Sequence, residues 1–206
     1  MSIEMALSGQ TLKSNPAVTW KYIVQIEGKC RGATFNRGHQ VIAQMENHFD
    51  RVWTLTQNVD GFHQAAGSQN VINIHGDIRH LVCTGCSWQK RVNDYSSISI
   101  PPTCPDCNYP VRPDVVFFGE MLPQEKVDTL TTELETGFDM YFSIGTTSVF
   151  PYIMQPMLMA SYAGQPTVEI NPGRSEISSF VDIKINLGAA EALDKIWNLF
   201  LQEHQL

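Results

Sequence analysis

Two cysteine pairs, Cys83-x-x-Cys86 and Cys104-x-x-Cys107 with 17 residues between them, constrain this chain more than any other feature. No charged-then-apolar signal opens the sequence, and in such a chain these pairs favour metal ligation over disulfides. Zinc prefers four tetrahedral thiolates, and each Cys-x-x-Cys turn presents two of them to one ion, so the two turns close its coordination shell. A closed shell leaves no position for water or substrate. The metal is therefore structural and holds a zinc ribbon over 81–112, a segment rich in cysteine, proline and serine but poor in large aliphatics. The fifth cysteine, Cys30, stands apart and reads as a buried small apolar residue.

Around this module, apolar runs alternate between strand and helix periodicity. Val52 to Leu55 and Val71 to Ile74 read as short strands, and Val115 to Phe118 as a strand returning to the main sheet after the zinc module. Met140 to Ile144, Thr167 to Ile170 and Val181 to Ile185 read as further strands. Asn36 is placed to cap a helix with Val41, Ile42, Met45 and Phe49 on one face. The earlier run of Trp20, Tyr22, Ile23 and Ile26 predicts a helix followed by a loop at Gly28 and Gly32. Pro123 opens a helix that Gly137 stops, an apolar helix lies between Tyr152 and Tyr162, and a last helix carries Leu193, Ile196, Trp197, Phe200 and Leu201. This alternation predicts an α/β fold: a parallel sheet with helices on both faces, plus the small zinc ribbon.

The 206 residues suffice for one sizeable core, or a core with an appendage. A composition 43% apolar and 17% charged is that of an ordinary globular protein. Apolar runs fall far short of the roughly 20 residues that a spanning helix needs, so the chain reads as cytoplasmic with no membrane partner. A net charge of -7 argues against nucleic acid, whose phosphates require clustered Lys and Arg, and is compatible with a basic peptide.

Polar residues concentrate where Val52–Leu55 would emerge from a sheet. Gln57, Asn58 and Asp60 follow it with the turn glycine Gly61, and His75 follows the next apolar run beside Gly76. In open α/β sheets ligands bind at such strand ends. Turn formation by Asn-x-Asp-Gly and a strand-capping histidine account equally for these residues taken alone.

In combination they resemble the sirtuin family. Thr56-Gln57-Asn58-Val59-Asp60-Gly61, Ala66-Gly67-Ser68, His75-Gly76, both cysteine pairs, Arg112 to Glu120 and Gly145-Thr146-Thr147-Ser148 occur in that family's order, from about Asn15 to the end of the chain. The resemblance implies NAD-dependent removal of acyl groups from protein lysines, with transfer to ADP-ribose and release of nicotinamide. It further implies a Rossmann-like NAD-binding domain over 1–80 and 113–206, with a helical part of the smaller domain within 1–50. NAD and acyl-lysine would meet in the cleft between the two domains.

Carried over by position, His75 matches the general base, which suits an imidazole because its ordinary pKa lies near the operating pH. Asn58 and Asp60, with Gln57 beside them, match residues that place the nicotinamide ribose and amide. Val116, Phe117, Phe118, Gly119 and Glu120 match the segment that pairs with the substrate backbone and walls the acyl-lysine channel. Gly145, Thr146, Thr147 and Ser148 match the loop that meets the cofactor's phosphates and ribose, while Asn171 and Ala189 match positions near the adenosine.

Two departures stand out. Family members open with a strand and a Gly-Ala-Gly-Ile-Ser turn that cradles pyrophosphate. This sequence has no Gly-x-Gly, and residues 1–20 resemble the part of the family that lies beyond that turn. A truncated, non-catalytic module that binds ADP-ribose or acyl-lysine peptide is thus the alternative reading, and an incomplete sheet edge would be open to a second chain. Members that prefer acidic acyl groups carry Tyr-x-x-Arg where this chain has Ile23 and Ile26. An apolar pair cannot neutralise a buried carboxylate, which implies acetyl or longer unbranched acyl groups rather than succinyl.

Overall fold

A computed structural model describes residues 2–205. In chain order the elements are α1 (Ile3–Ala6), α2 (Gly9–Ser14), α3 (Pro16–Cys30), α4 (Arg37–Met45), β1 (Thr54–Thr56), α5 (Phe62–Ala65), β2 (Val71–Asn73) and β3 (Gly76–Cys83). There follow β4 (Gln89–Arg91), β5 (Val111–Val115), α6 (Gln124–Thr136), β6 (Tyr141–Ile144), α7 (Pro151–Tyr162), β7 (Thr167–Ile170), β8 (Ile183–Ile185) and α8 (Ala189–His204). They divide into two compact units, one of Met1–Thr34, Thr56–Gly61 and Ile72–Val127, the other of Phe35–Leu55, Phe62–Val71 and Asp128–Leu206. The chain changes unit within the paired strands β1 and β2. No helix of the described residues is long and apolar enough to cross a membrane.

The first unit is built on an antiparallel sheet in the order β4-β3-β5. Its core reaches well beyond 81–112, because helix α3 lays Trp20 and Ile23 against Ile78, Leu81, Tyr95 and Val111. Trp20 is fully buried; its indole N–H donates to the Val111 carbonyl at 3.0 Å and its ring meets Tyr95 edge-on at 5.4 Å. The Tyr95 hydroxyl in turn donates to the Ile78 carbonyl. A segment too poor in aliphatics to make its own core thus borrows one from α3, and the indole and phenol find the partners that buried polar handles require.

The second unit holds the parallel sheet, β6-β7-β8. Every residue of β7 is buried, as expected for a central parallel strand covered on both faces. Val168 and Ile170 pack with Val41, Ala192, Leu193 and Trp197 from α4 and α8. Asn36 caps α4 as expected, its side chain accepting from the Gly38 and His39 amides while His39 Nδ1 accepts from the Asn36 amide.

Three expectations are corrected. Helix α4 ends at Met45, so Phe49 leaves the helical face and lies 44% exposed, its ring tilted against Phe200 at 5.1 Å. Helix α3 continues through Gly28 to Cys30, and this last turn runs past the core, so Cys30 is exposed rather than buried. The strand expected at 115–118 does not join the parallel sheet. Its first residue ends β5, which pairs antiparallel with β3, and Phe118 makes only an isolated bridge to Ser8. Pro113 lacks an amide hydrogen and is tolerated in β5 because that strand is an edge.

Gly76 is where β3 and β5 approach most closely. Its φ is +91°, and a Cβ added there would sit 1.9 Å from the Asp114 carbonyl oxygen. Gly76→Ala should therefore cost more than about 2 kcal/mol, because neither backbone can yield without breaking the ladder. Thermal unfolding would check this, and an unchanged melting temperature would refute the close approach.

Candidate functional site

The metal centre forms at one end of the β3–β5 ladder. Cys83 ends β3, Cys86 closes the turn to β4, and Cys104 and Cys107 flank the turn before β5. All four Sγ atoms lie within 4.8 Å of one another, with Cys83–Cys107 and Cys86–Cys107 at 3.4 Å and Cys86–Cys104 at 3.6 Å. Tetrahedral zinc with bonds of about 2.3 Å separates its sulfurs by about 3.8 Å, so this thiolate set fits one ion. The turns are shaped for the task. The Gly85 amide donates to Cys83 Sγ at 3.2 Å, Asn108 takes a left-handed φ of 61°, and a Cβ on Gly85 would strike the Tyr109 ring at 2.5 Å. Chelation should unfold this unit, visible as loss of near-ultraviolet dichroism and a lower melting temperature, with one zinc recovered per chain. Full retention of the melting temperature after metal removal would exclude a structural metal.

At the other end of β3 stands His75, half-buried in the tight turn from β2. The Val116 amide donates to its carbonyl at 3.0 Å, which fixes the backbone against the segment after β5. Burial is the largest influence on its ring and lowers the pKa; a hydrogen bond with the Gln57 backbone acts the other way, and the Lys126 charge lowers it further. The net is a pKa below the ordinary 6.5, so the imidazole is mostly neutral at pH 7. Lys126 is held in place by donating to the Asn73 carbonyl at 2.8 Å. Nothing in the sequence marked it, since only the fold brings the start of α6 beside β2. Lys126→Ala should raise the His75 midpoint toward 6.5 in an NMR titration, and an unmoved midpoint would refute the coupling.

The loop after β1 is braced from beneath. The Asn58 amide donates to Thr56 Oγ1 at 3.1 Å, and the Asp60 carbonyl accepts from the Arg79 guanidinium. The Arg79 backbone amide donates to Asp77 Oδ1 at 2.8 Å, and Asp77 pairs with Arg91 at 2.7 Å. Gly61 turns the chain with φ +70°, where a Cβ would meet Arg79 Nη2 at 2.9 Å. Gln57 and Asp60 are thereby held half-buried, and Asn58 exposed.

The 112–120 segment is closed on itself. Arg112 grips Glu120 bidentately at 2.6 and 2.7 Å, donates to the Val115 carbonyl at 2.6 Å and lies over the Phe117 ring at 4.5 Å. Glu120 also accepts from the Phe117 amide at 2.9 Å. Burial pushes its carboxyl up, but these bonds outweigh burial and hold it below the ordinary value. Glu120 thus braces the loop around Gly119, which takes φ +80°, and leaves Val116 and Phe118 facing a cavity of about 140 Å³.

That cavity lies within the first unit. Ile23, Ile78, Pro113 and Phe117 are its buried lining, while Leu7, Ile26, Val59 and Val115 are partly exposed. His75 is the one lining residue with an ionisable side chain. The sequence pointed to Ile23, Ile26, Val116 and Phe118; Leu7 and Ile78 carried no signal, because their neighbourhood arises from contacts distant along the chain.

The remaining candidates lie in the second unit, at the carboxyl ends of its parallel strands. Gly145 leaves β6 with φ +62°, and the loop behind it is tied by the Ser148 amide to Thr146 Oγ1 at 3.1 Å and by Asn171 Nδ2 to the Thr146 carbonyl at 2.9 Å. Ser148 is buried with φ 56°, and Thr147 is exposed. Asn171 follows β7, and Ala189 begins α8, whose first-turn amides receive no side-chain cap from Gly188. Beneath the edge Glu169 is fully buried, with Oε1 accepting from Ser175 at 2.6 Å and Oε2 paired with Lys184 at 3.1 Å. Burial pushes its carboxyl up, but the Ser175, Ser178 and Lys184 partners prevail and keep it below the ordinary value. A helix N-terminus and a polar loop at parallel-strand ends have the chemistry that suits an anion.

The Sir2 family model matches residues 1–151. The chain is 41% identical over 199 residues to NAD-dependent protein deacylase 2 of Pseudomonas aeruginosa, covering 95% of this chain and 78% of that protein. Among solved structures, a Sir2 homolog–NAD complex superposes with a TM-score of 0.89 at 31% identity, covering 97% of this chain and 78% of the other. A Sir2 bound to acetylated peptide gives 0.84 at 25% identity, with 97% and 83% covered.

Proposed function

This chain belongs to the Sir2 family, and from that premise we propose that it is an NAD-dependent protein deacylase that moves acyl groups from lysine side chains to ADP-ribose and releases nicotinamide. The observation that carries the reading is the imidazole kept neutral by burial at the wall of an apolar cavity. A base must be unprotonated to accept a proton, and an apolar channel admits the lysine stem while excluding competing water.

NAD, when bound, supplies the ribose carbon that parts from nicotinamide and the ribose hydroxyl whose proton must leave. His75 takes that proton. Asn58, Asp60 and Gln57 position the nicotinamide ribose and its amide, helped by the Arg79 brace. Gly145, Thr146, Thr147 and Ser148 receive phosphate and ribose, with Asn171 and Ala189 beside the adenosine. Val116, Phe117 and Phe118 wall the acyl-lysine and face the substrate backbone, and Glu120, bonded to Arg112 and the Phe117 amide across the turn at Gly119, holds that wall in place. The zinc serves only to hold the ladder, since four thiolates leave it no free position.

His75→Ala should lower turnover by roughly 10²–10⁴-fold, the usual worth of a positioned base, while acyl-peptide binding persists. The acid limb of the wild-type pH–rate profile should fall below 6.5, since activity belongs to the neutral ring and is lost as pH drops through a lowered pKa. Calorimetric titration with NAD and with ADP-ribose, alongside nicotinamide release, decides the matter. ADP-ribose binding without any release would mark a binding module instead.

A further inference from the structure

Glu169 stands in β7 among Thr167, Val168 and Ile170, and no part of it reaches solvent. A carboxylate in such a place is costly unless paired, and even a paired one adds little stability over apolar residues of the same size. What the pair holds accounts for it better. Lys184 lies directly across the parallel register on β8, so the two side chains share one face of the sheet. Three oxygens lie within 3.1 Å of Lys184 Nζ, as many as an ammonium has N–H groups. They are Glu169 Oε2 at 3.1 Å, the Asn171 carbonyl at 3.1 Å and the Gly173 carbonyl at 2.6 Å. The other carboxylate oxygen accepts from Ser175 Oγ at 2.6 Å. The pair thus ties down the segment after β7 at three points. That segment in turn holds the loop after β6 twice: Asn171 Nδ2 donates to the Thr146 carbonyl at 2.9 Å, and the Glu176 amide to the Thr147 carbonyl at 3.1 Å.

Resting on the reading of Gly145 to Ser148 as the loop that receives NAD, we propose that Glu169 and Lys184 are positioning residues for that cofactor. The pair sets the 171–176 segment, which fixes the Thr146 and Thr147 carbonyls and with them the course of the nucleotide loop. A loop already held in one course does not have to be ordered by its ligand, so the pair acts on nucleotide affinity and not on the chemical step or the peptide.

Lys184→Met alone leaves a buried carboxylate unpaired and should lower the melting temperature. The Glu169→Gln/Lys184→Met double variant removes one charge of each sign, keeps the net charge, and carries the test. Its melting temperature should lie close to that of the wild type. Its Kd for ADP-ribose, by calorimetry, and its KM for NAD should each rise on the order of tenfold, because the Asn171 and Gly173 carbonyls have lost their donor. Its kcat at saturating NAD and its KM for acetyl-lysine peptide should stay within about twofold of the wild type. Unchanged nucleotide affinity in the double variant, beside a wild type that binds, would overturn this role alone; so would equal losses of nucleotide and peptide affinity, the mark of general loosening. Absence of NAD and ADP-ribose binding by the wild type would overturn the nucleotide reading and this role with it. Hydrogen exchange on the ligand-free wild type tests the same point without any variant: the Glu176 amide should be protected, and exchange at the rate of an open loop would refute the fixed course.

Discussion

The antiparallel ladder between β3 and β5 is the constraint on which both sites of the first unit depend. Its register runs from Gly76 opposite Val115 to Cys83 opposite Val111, with one irregularity between Asp77 and Leu81. At one end the strand is preceded by His75, and at the other it ends in a zinc ligand. Eight residues of strand span roughly 23 Å at about 3.3 Å per step, so the metal stands far from the imidazole and acts on it only through the ladder. The closed thiolate set and this distance give the same answer about the metal's role.

The ladder also explains why the site tolerates little variation in its backbone. Gly76 permits the close approach that brings Val116 against the His75 carbonyl, and Arg112 with Glu120 then folds the next residues back so that Phe117 closes the cavity. Each of these contacts uses a charged or conformationally special residue to fix an apolar wall. Rigid placement is what an acyl channel requires, since a wall that yielded would admit water beside the reactive carbon. The second unit uses different means: buried Glu169, bonded to Ser175 and ion-paired with Lys184, supports the segment after a parallel strand.

Much of this was legible in the order of residues. The cysteine spacing, the Asn36 cap, the Gly137 stop and strand β7 all appear where local chemistry placed them, because each depends on neighbours a few residues away. The misplacements share a cause. Phe49 continues an apolar spacing past the point where the partner surface ends, and the expectation for Cys30 rests on residue type alone; neither periodicity nor residue type carries a record of that end. The run at 115–118 is β-like in composition, yet composition does not say which sheet a strand joins.

The sequence by itself determined that four sulfurs would share one metal, that strands and helices would alternate, and that a histidine would follow a short strand beside a glycine. These are short-range facts, set by turn chemistry, spacing and the preference of zinc for thiolate. Only the tertiary structure decided that α3 completes the core of the zinc-bearing unit, that Lys126 joins burial in keeping His75 neutral, and that Leu7, Ile23 and Ile78 line one cavity with it. Those are meetings of segments far apart along the chain, and no local pattern encodes a contact whose partner lies elsewhere in it.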